Sequence, residues 1–217
     1  MPMVDIAPYC HAVTAATTAE ALTDAVVALA AQQDVAAIPT LIDVLGYNNP
    51  AAAQAAVDGL IQLGDAAVEP LLDRLDDYNY GARAYEVRVL GAIGHPAALR
   101  VLLGAAQSDF APSVRRAATK ALGTLRWHLI EGEQERRLGL EQVLQVLQRN
   151  TDAADWAVRY AVAVALEHLR QQPAAAIIQP SVVALLTALG DRDPDIVVRS
   201  RCQLALKRDT VHLSMHT

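Results

Sequence analysis

The feature that most restricts what this chain can fold into is a helix opening repeated along it. Val-Arg followed by small and aliphatic residues at helical spacing occurs in VRRAATKALGTL (114–125), VRYAVAVALEHL (158–169) and VRSRCQLALKRD (198–209), and ARAYEVRVLGAIG (82–94) lines up with the first of these. Arg83, Arg115, Arg159 and Arg199 then share one repeat position, at separations of 32, 44 and 40 residues. NNPAAAQAAVDGLIQLG (48–64) reads as an earlier copy with Ala53 in place of the arginine. Self-similarity at this period marks stacked supersecondary units.

A second amphipathic segment precedes each copy, at 38–46, 66–75, 96–106, 140–148 and 181–190. Each pair forms a helical hairpin that cannot hide its apolar faces alone, so the hairpins must stack into an α-solenoid. Composition agrees, because 53% hydrophobic but only 4% aromatic residues supply a core of small aliphatic side chains, which suits close helix packing. The expected fold is all-α, with about five hairpins over 34–209, a capping helix within 1–33 from TTAEALTDAVVALAAQ, and a disordered tail at 210–217. This pattern resembles the HEAT-like repeats.

Local chemistry marks the boundaries. Gly64 and Gly94 are placed to end helices, Asp65 to cap the next one, and Pro96 to occupy a first turn. Asn49-Pro50 and Asp193-Pro194 read as cap-plus-proline starts. The polar WHLIEGEQERR (127–137) accounts for the 12 residues by which the longest period exceeds the shortest, as a longer helix or a longer loop.

A net charge of −6 argues against a general nucleic-acid or anionic-membrane surface, and the basic stripe Arg115, Arg116 and Lys120 is read as a solvated face. Cys10 and Cys202 match no metal-ligand spacing and make no disulfide framework, which fits a reducing cytosol. No metal site is expected. No stretch approaches the roughly 18 uninterrupted apolar residues of a membrane span, and no basic-then-apolar leader opens the chain.

Of nine aromatic residues, seven fall between Tyr78 and Tyr160. The densest stretch, DYNYGARAYEVR (77–88), places three tyrosines, two arginines and a glutamate at the start of one helix. Tyrosine offers a rigid face and arginine a charged fork, a pairing that grips a flat, partly anionic partner. Tyr85 and Arg88, three apart, form one contiguous patch. Phe110 is expected to pack between hairpins, and Arg115, Arg159 and Arg199 to form a structural ladder with carboxylates of neighbouring hairpins.

DYNYGARAYEVRVLGAIGHPAAL (77–99) followed by DFAPSVRRAATKALGTLRW (109–127) resembles the F-type subunit of the cyanobacterial E/F phycocyanobilin lyases, and the resemblance runs through the later repeats. It implies a heterodimer with an E-type lyase subunit in the cyanobacterial cytosol. That heterodimer attaches phycocyanobilin, an open-chain tetrapyrrole bound as substrate and not as a permanent cofactor, to a cysteine of the apo-phycocyanin alpha subunit through a thioether. The Asn-His-Cys motif of isomerising relatives does not occur here, so attachment without isomerisation is expected. On this reading Arg83 and Arg88 hold propionates, Tyr78, Tyr80 and Tyr85 flank rings, and Asp77 or Glu86 meets the pyrrole nitrogens and serves in proton transfer. Trp156, Arg159 and Tyr160 are further candidates from a later copy. The same Tyr/Arg cluster also suits docking of the E-type partner. The alternative function is a non-catalytic HEAT-repeat adaptor in phycobilisome assembly or degradation.

Overall fold

A computed structural model describes residues 5–75 and 79–213, which fall into two compact units divided between Ile93 and Gly94. Among the described residues the secondary structure is entirely helical, as expected. In the first unit, α1 (Ala7–Ala15) and α2 (Ala19–Ala30) precede two hairpins, α3 (Ile38–Leu45) with α4 (Pro50–Leu63) and α5 (Val68–Asp73) with α6 (Tyr80–Ile93). The second unit holds three more: α7 (Leu99–Ser108) with α8 (Pro112–Ala121), α9 (Glu133–Asn150) with α10 (Trp156–Arg170), and α11 (Gln179–Arg192) with α12 (Ile196–Leu213).

These helices form where the sequence supplies both an apolar stripe and a start signal. Asn49 caps α4, its Oδ1 accepting from the Ala52 amide at 3.1 Å, and Pro50 fills the first turn where a missing donor costs nothing. The same side chain donates Nδ2 to the Ala19 carbonyl at 2.9 Å, tying the hairpin to α2. Asn79 caps α6 in the same register, accepting from the Gly81 and Ala82 amides. Asp193 was expected to open α12, but that helix starts at Ile196. Asp195 caps it by accepting from the Val197 amide, while Asp193 accepts from the Asp195 amide. Asp65, expected to cap α5, lies within the 3-10 turn Gly64–Ala67 that leads into it.

Gly64 (φ 62°) and Gly94 (φ 71°) end α4 and α6 in the left-handed region that glycine adopts without strain. At Gly94 space is also lacking, since a Cβ would stand 2.5 Å from the Thr124 carbonyl oxygen.

The recurring arginine has one repeated job. Arg115 donates Nη1 to the carbonyls of Asp109 (2.7 Å) and Phe110 (3.2 Å), Arg159 to those of Ala153 (2.7 Å) and Ala154 (3.3 Å), and Arg199 to those of Asp193 (2.6 Å) and Pro194 (3.1 Å). In each case the guanidinium reaches back six and five residues and satisfies carbonyls of its own hairpin turn, which would otherwise be costly to shelter from water. This makes the repeat position structural in the three second-unit copies.

The 127–137 insertion resolves into two features. A 3-10 turn at Trp127–Leu129 buries Trp127 completely, and a lengthened α9 of 18 residues follows. Gly139 of α9 makes room for the indole, as a Cβ there would lie 2.9 Å from Trp127 Cζ3 and 3.2 Å from Leu99 Cδ2. The segment Pro173–Arg192 contains an 18-residue window of mean hydropathy 1.6, long and apolar enough by length and composition alone to cross a membrane, although Gln179, Ser181 and Thr187 interrupt it and no uninterrupted apolar run of that length occurs, as expected. Here it supplies α11, which packs against α10 and α12 through Val182, Leu186 and Leu189.

Candidate functional site

Helix α6 divides the predicted Tyr/Arg cluster between its two sides. Tyr80 is 56% exposed at the helix start, and Arg88 is exposed two turns later. The Arg88 guanidinium lies 5.4 Å from the centre of the half-buried Tyr85 ring, a cation–π distance, and donates Nη2 to Gln54 Oε1 of α4 at 3.0 Å. Arg83 and Glu86, by contrast, are only 4% and 2% exposed. Of the two arginines expected to hold propionates, Arg88 is therefore exposed and Arg83 buried. Asp77 and Tyr78 lie outside the described residues.

Glu86 is buried because of its place in the repeat. Three residues past the arginine position stand Ala56, Glu86, Ala118, Val162 and Cys202, and all five are buried. The position faces the core in every hairpin, and one copy fills it with a carboxylate. Burial pushes the Cys202 thiol up to about 12, more than the opposing charge of Arg201 can offset, so that sulfur stays protonated and unreactive.

In the second unit, Trp156 stands 48% exposed at the start of α10 and meets Tyr160 edge-on, with ring centres 6.4 Å apart and planes at 78°. Phe110, expected to pack between hairpins, is 68% exposed at the turn before α8. The turn residue sits beyond the last buried position of α7, Ala106, and the apolar contacts of that hairpin are met by Val114 and Ala118 instead.

Arg159 does form the expected ladder. It spans to the next hairpin, donating Nε to Asp193 Oδ2 (2.8 Å) and Nη2 to Asp193 Oδ1 (3.2 Å). Burial pushes the Asp193 carboxyl up, but the Arg159 hydrogen bonds, the Asp195 amide and the charges of Arg159 and Arg199 together hold it below the usual carboxylate range. The hydrogen bond to Asp193 raises Arg159 against the opposing effect of burial.

This ion pair forms one wall of a cleft of about 390 Å³. Leu185, Ala188 and Leu189 of α11 give it an apolar side, and Asp152 and Arg192 bring one charge of each sign. Sequence reasoning missed Asp152, Leu185 and Arg192. Asp152 lies 33 and 40 residues from Leu185 and Arg192, and none of the three belongs to a recurring motif; the one available signal was Ala153, a small residue where the neighbouring copies carry Asp109 and Asp193.

Stacked hairpins clipped by a recurrent arginine, with an aromatic-basic surface patch and a ligand-sized cleft, define a HEAT-repeat binding protein. Residues 68–166 match the HEAT repeats family, and residues 52–77 match the PBS lyase HEAT-like repeat. The phycocyanobilin lyase subunit beta of Thermosynechococcus vestitus is 71% identical over 215 residues, covering 99% of this chain and 100% of that protein. The phycocyanin alpha phycocyanobilin lyase CpcF of Synechocystis sp. is 44% identical over 191 residues, 88% of each chain. Among solved structures, the complex of CpcE and CpcF of phycocyanin lyase from Nostoc sp. PCC7120 contains a chain that matches with a TM-score of 0.74 at 48% identity, covering 80% of this chain and 99% of that one. The chain belongs to the HEAT-repeat family of phycocyanobilin lyase beta subunits.

Proposed function

We propose that this chain is the F-type subunit of a heterodimeric phycobilin lyase, which joins phycocyanobilin to a cysteine of the phycocyanin alpha subunit together with an E-type partner. The observation that carries this reading is the 71% identity to a lyase beta subunit over essentially the whole of both chains. In the reaction the acceptor's thiol adds across the exocyclic double bond of the bilin's first ring. A carbon–sulfur bond forms, the π bond opens, and the thiol's proton is balanced by one delivered to the bilin carbon. No oxidant is consumed and no group leaves. The attacking sulfur belongs to the acceptor, which is consistent with the inert Cys202 here. The lyase contributes binding, orientation and shelter for a flexible pigment, which lower the barrier by fixing the reacting geometry.

Within that assembly the Tyr80, Tyr85 and Arg88 patch is the surface that meets the E-type partner. With Arg83 buried, the patch lacks the paired guanidiniums that two propionates would occupy, and an arginine stacked on a tyrosine is a common anchor of protein interfaces. Asp77 stays the candidate proton donor, to be tested by Asp77→Asn. The bilin is attached without isomerisation, in keeping with the missing Asn-His-Cys motif, and the protein works in the cyanobacterial cytosol where phycobilisomes assemble.

Co-production with an E-type partner, apo-phycocyanin alpha and phycocyanobilin tests the reading. It predicts a red-fluorescent adduct that survives denaturing electrophoresis and keeps the absorbance of unisomerised, thioether-linked bilin after denaturation in acid urea. A non-catalytic adaptor would assemble with its partners and leave the acceptor colourless.

A further inference from the structure

We propose that the cleft between the α9–α10 turn and α11 is the seat of the bilin's propionate-bearing middle rings on this chain, with Arg192 binding a propionate and Asp152 meeting the pyrrole N–H groups. The inference rests on the lyase reading above and deepens it by assigning the substrate a place.

The cleft's chemistry is asymmetric in a useful way. Its ion-paired wall is already satisfied: Arg159 is held by the Asp193 carboxylate and two turn carbonyls, so those charges fix the shape of the cleft and offer nothing to a ligand. The Arg192 and Asp152 side chains make no hydrogen bond or ion pair with any described residue, and both border the cleft. A ligand that enters therefore finds an open guanidinium fork, an open carboxylate and the apolar side of Leu185, Ala188 and Leu189. Few molecules match all three. An anionic peptide would use Arg192 but leave the apolar side unfilled, and a simple phosphate would be repelled by Asp152. A linear tetrapyrrole has flat apolar rings, propionates on its two middle rings and N–H donors along one edge.

Size gives a second constraint. About 390 Å³ is at the lower end of small-molecule sites and holds a part of an open-chain tetrapyrrole, not the whole. Seating the middle rings leaves the end ring with its reactive double bond outside, where another protein's thiol must reach it. Trp156, exposed at the start of the helix that carries Arg159, stands close in sequence to this wall and provides an optical reporter.

The test uses the purified heterodimer and titrates phycocyanobilin by visible absorbance and circular dichroism, comparing wild type with Arg192→Gln, Arg192→Lys and Leu185→Trp. The first removes the charge, the second keeps it without the fork, and the third fills the cleft from a partly exposed position. Arg192→Gln and Leu185→Trp should each weaken bilin binding by about tenfold or more, the loss expected for one charge-assisted hydrogen bond or a blocked site, with Arg192→Lys in between. The bilin dimethyl ester should bind wild type and Arg192→Gln equally, because its propionates carry no charge for Arg192 to read. Wild-type affinity in both Arg192→Gln and Leu185→Trp, alongside normal adduct formation, would overturn the seat and leave the lyase reading standing. Bilin binding that depends on Arg192 without any adduct would uphold the seat and overturn the lyase reading. A wild-type heterodimer that binds no bilin would overturn both.

Discussion

Arg159 and Asp193 form a buried, two-pronged ion pair, Nε to Oδ2 at 2.8 Å and Nη2 to Oδ1 at 3.2 Å, that fastens α10 to the turn between α11 and α12 of the next hairpin. Removing the carboxylate with Asp193→Ala leaves a largely buried guanidinium with only carbonyl partners. The expected loss is about 3 kcal/mol of unfolding free energy, read from urea denaturation followed by circular dichroism.

The same pair sets an acid limb. Asp193 is held below its ordinary value in the folded chain, so its stabilisation is complete above the normal carboxylate range and disappears as pH falls through the depressed folded value. Urea midpoints measured across the acid range should decline toward low pH in the wild type. Asp193→Asn, less stable at neutral pH, should decline less steeply, and parallel curves would show that the pair is not the source.

At Gly123 two repeats of the second unit pack backbone against backbone. A Cβ there would stand 2.5 Å from both the Cα and the carbonyl oxygen of Ala165, main-chain atoms that cannot rotate away. Gly123→Ala should cost about 1–3 kcal/mol, the usual penalty of overpacking. Gly104, whose Cβ would meet nothing within 4 Å, is the control, and Gly104→Ala should be neutral or slightly stabilising.

The two tryptophans should differ in fluorescence and in energetic weight. Trp127 is fully buried and Trp156 half exposed. Trp156→Phe should leave a blue-shifted emission that acrylamide quenches poorly, with stability changed by no more than about 0.5 kcal/mol, whereas Trp127→Ala should cost about 3–5 kcal/mol.

Much of this is legible in the sequence. The Val-Arg repeat, Gly64, Gly94 and Asn49-Pro50 located five hairpins, because those residues act through local backbone chemistry that sequence spacing records directly. The site was less legible. Tyrosines around Arg83 and Glu86 suggested a surface, although the register shared with Arg115, Arg159 and Arg199, and with Ala118, Val162 and Cys202, already pointed inward. Tertiary packing decides which helix face is buried, and the repeat register was the better guide to it than local composition. The burial of Trp127 and the cleft beside Arg192 depend on contacts between separate helices, for which no spacing rule exists.

If the α6 patch meets the partner chain, Arg88→Glu and Tyr80→Ala should each weaken heterodimer formation by about tenfold in size-exclusion or calorimetric assays while the isolated chain keeps its helical circular dichroism. Heterodimers as tight as wild type would move the interface elsewhere.

The most direct check of the central claim is an omission experiment with purified components. Apo-phycocyanin alpha, phycocyanobilin and the E-type subunit are incubated with and without this chain, and covalent bilin on the acceptor is followed over time. Specific adduct formation that requires both chains is the predicted result; the same rate and product when this chain is left out would contradict the account.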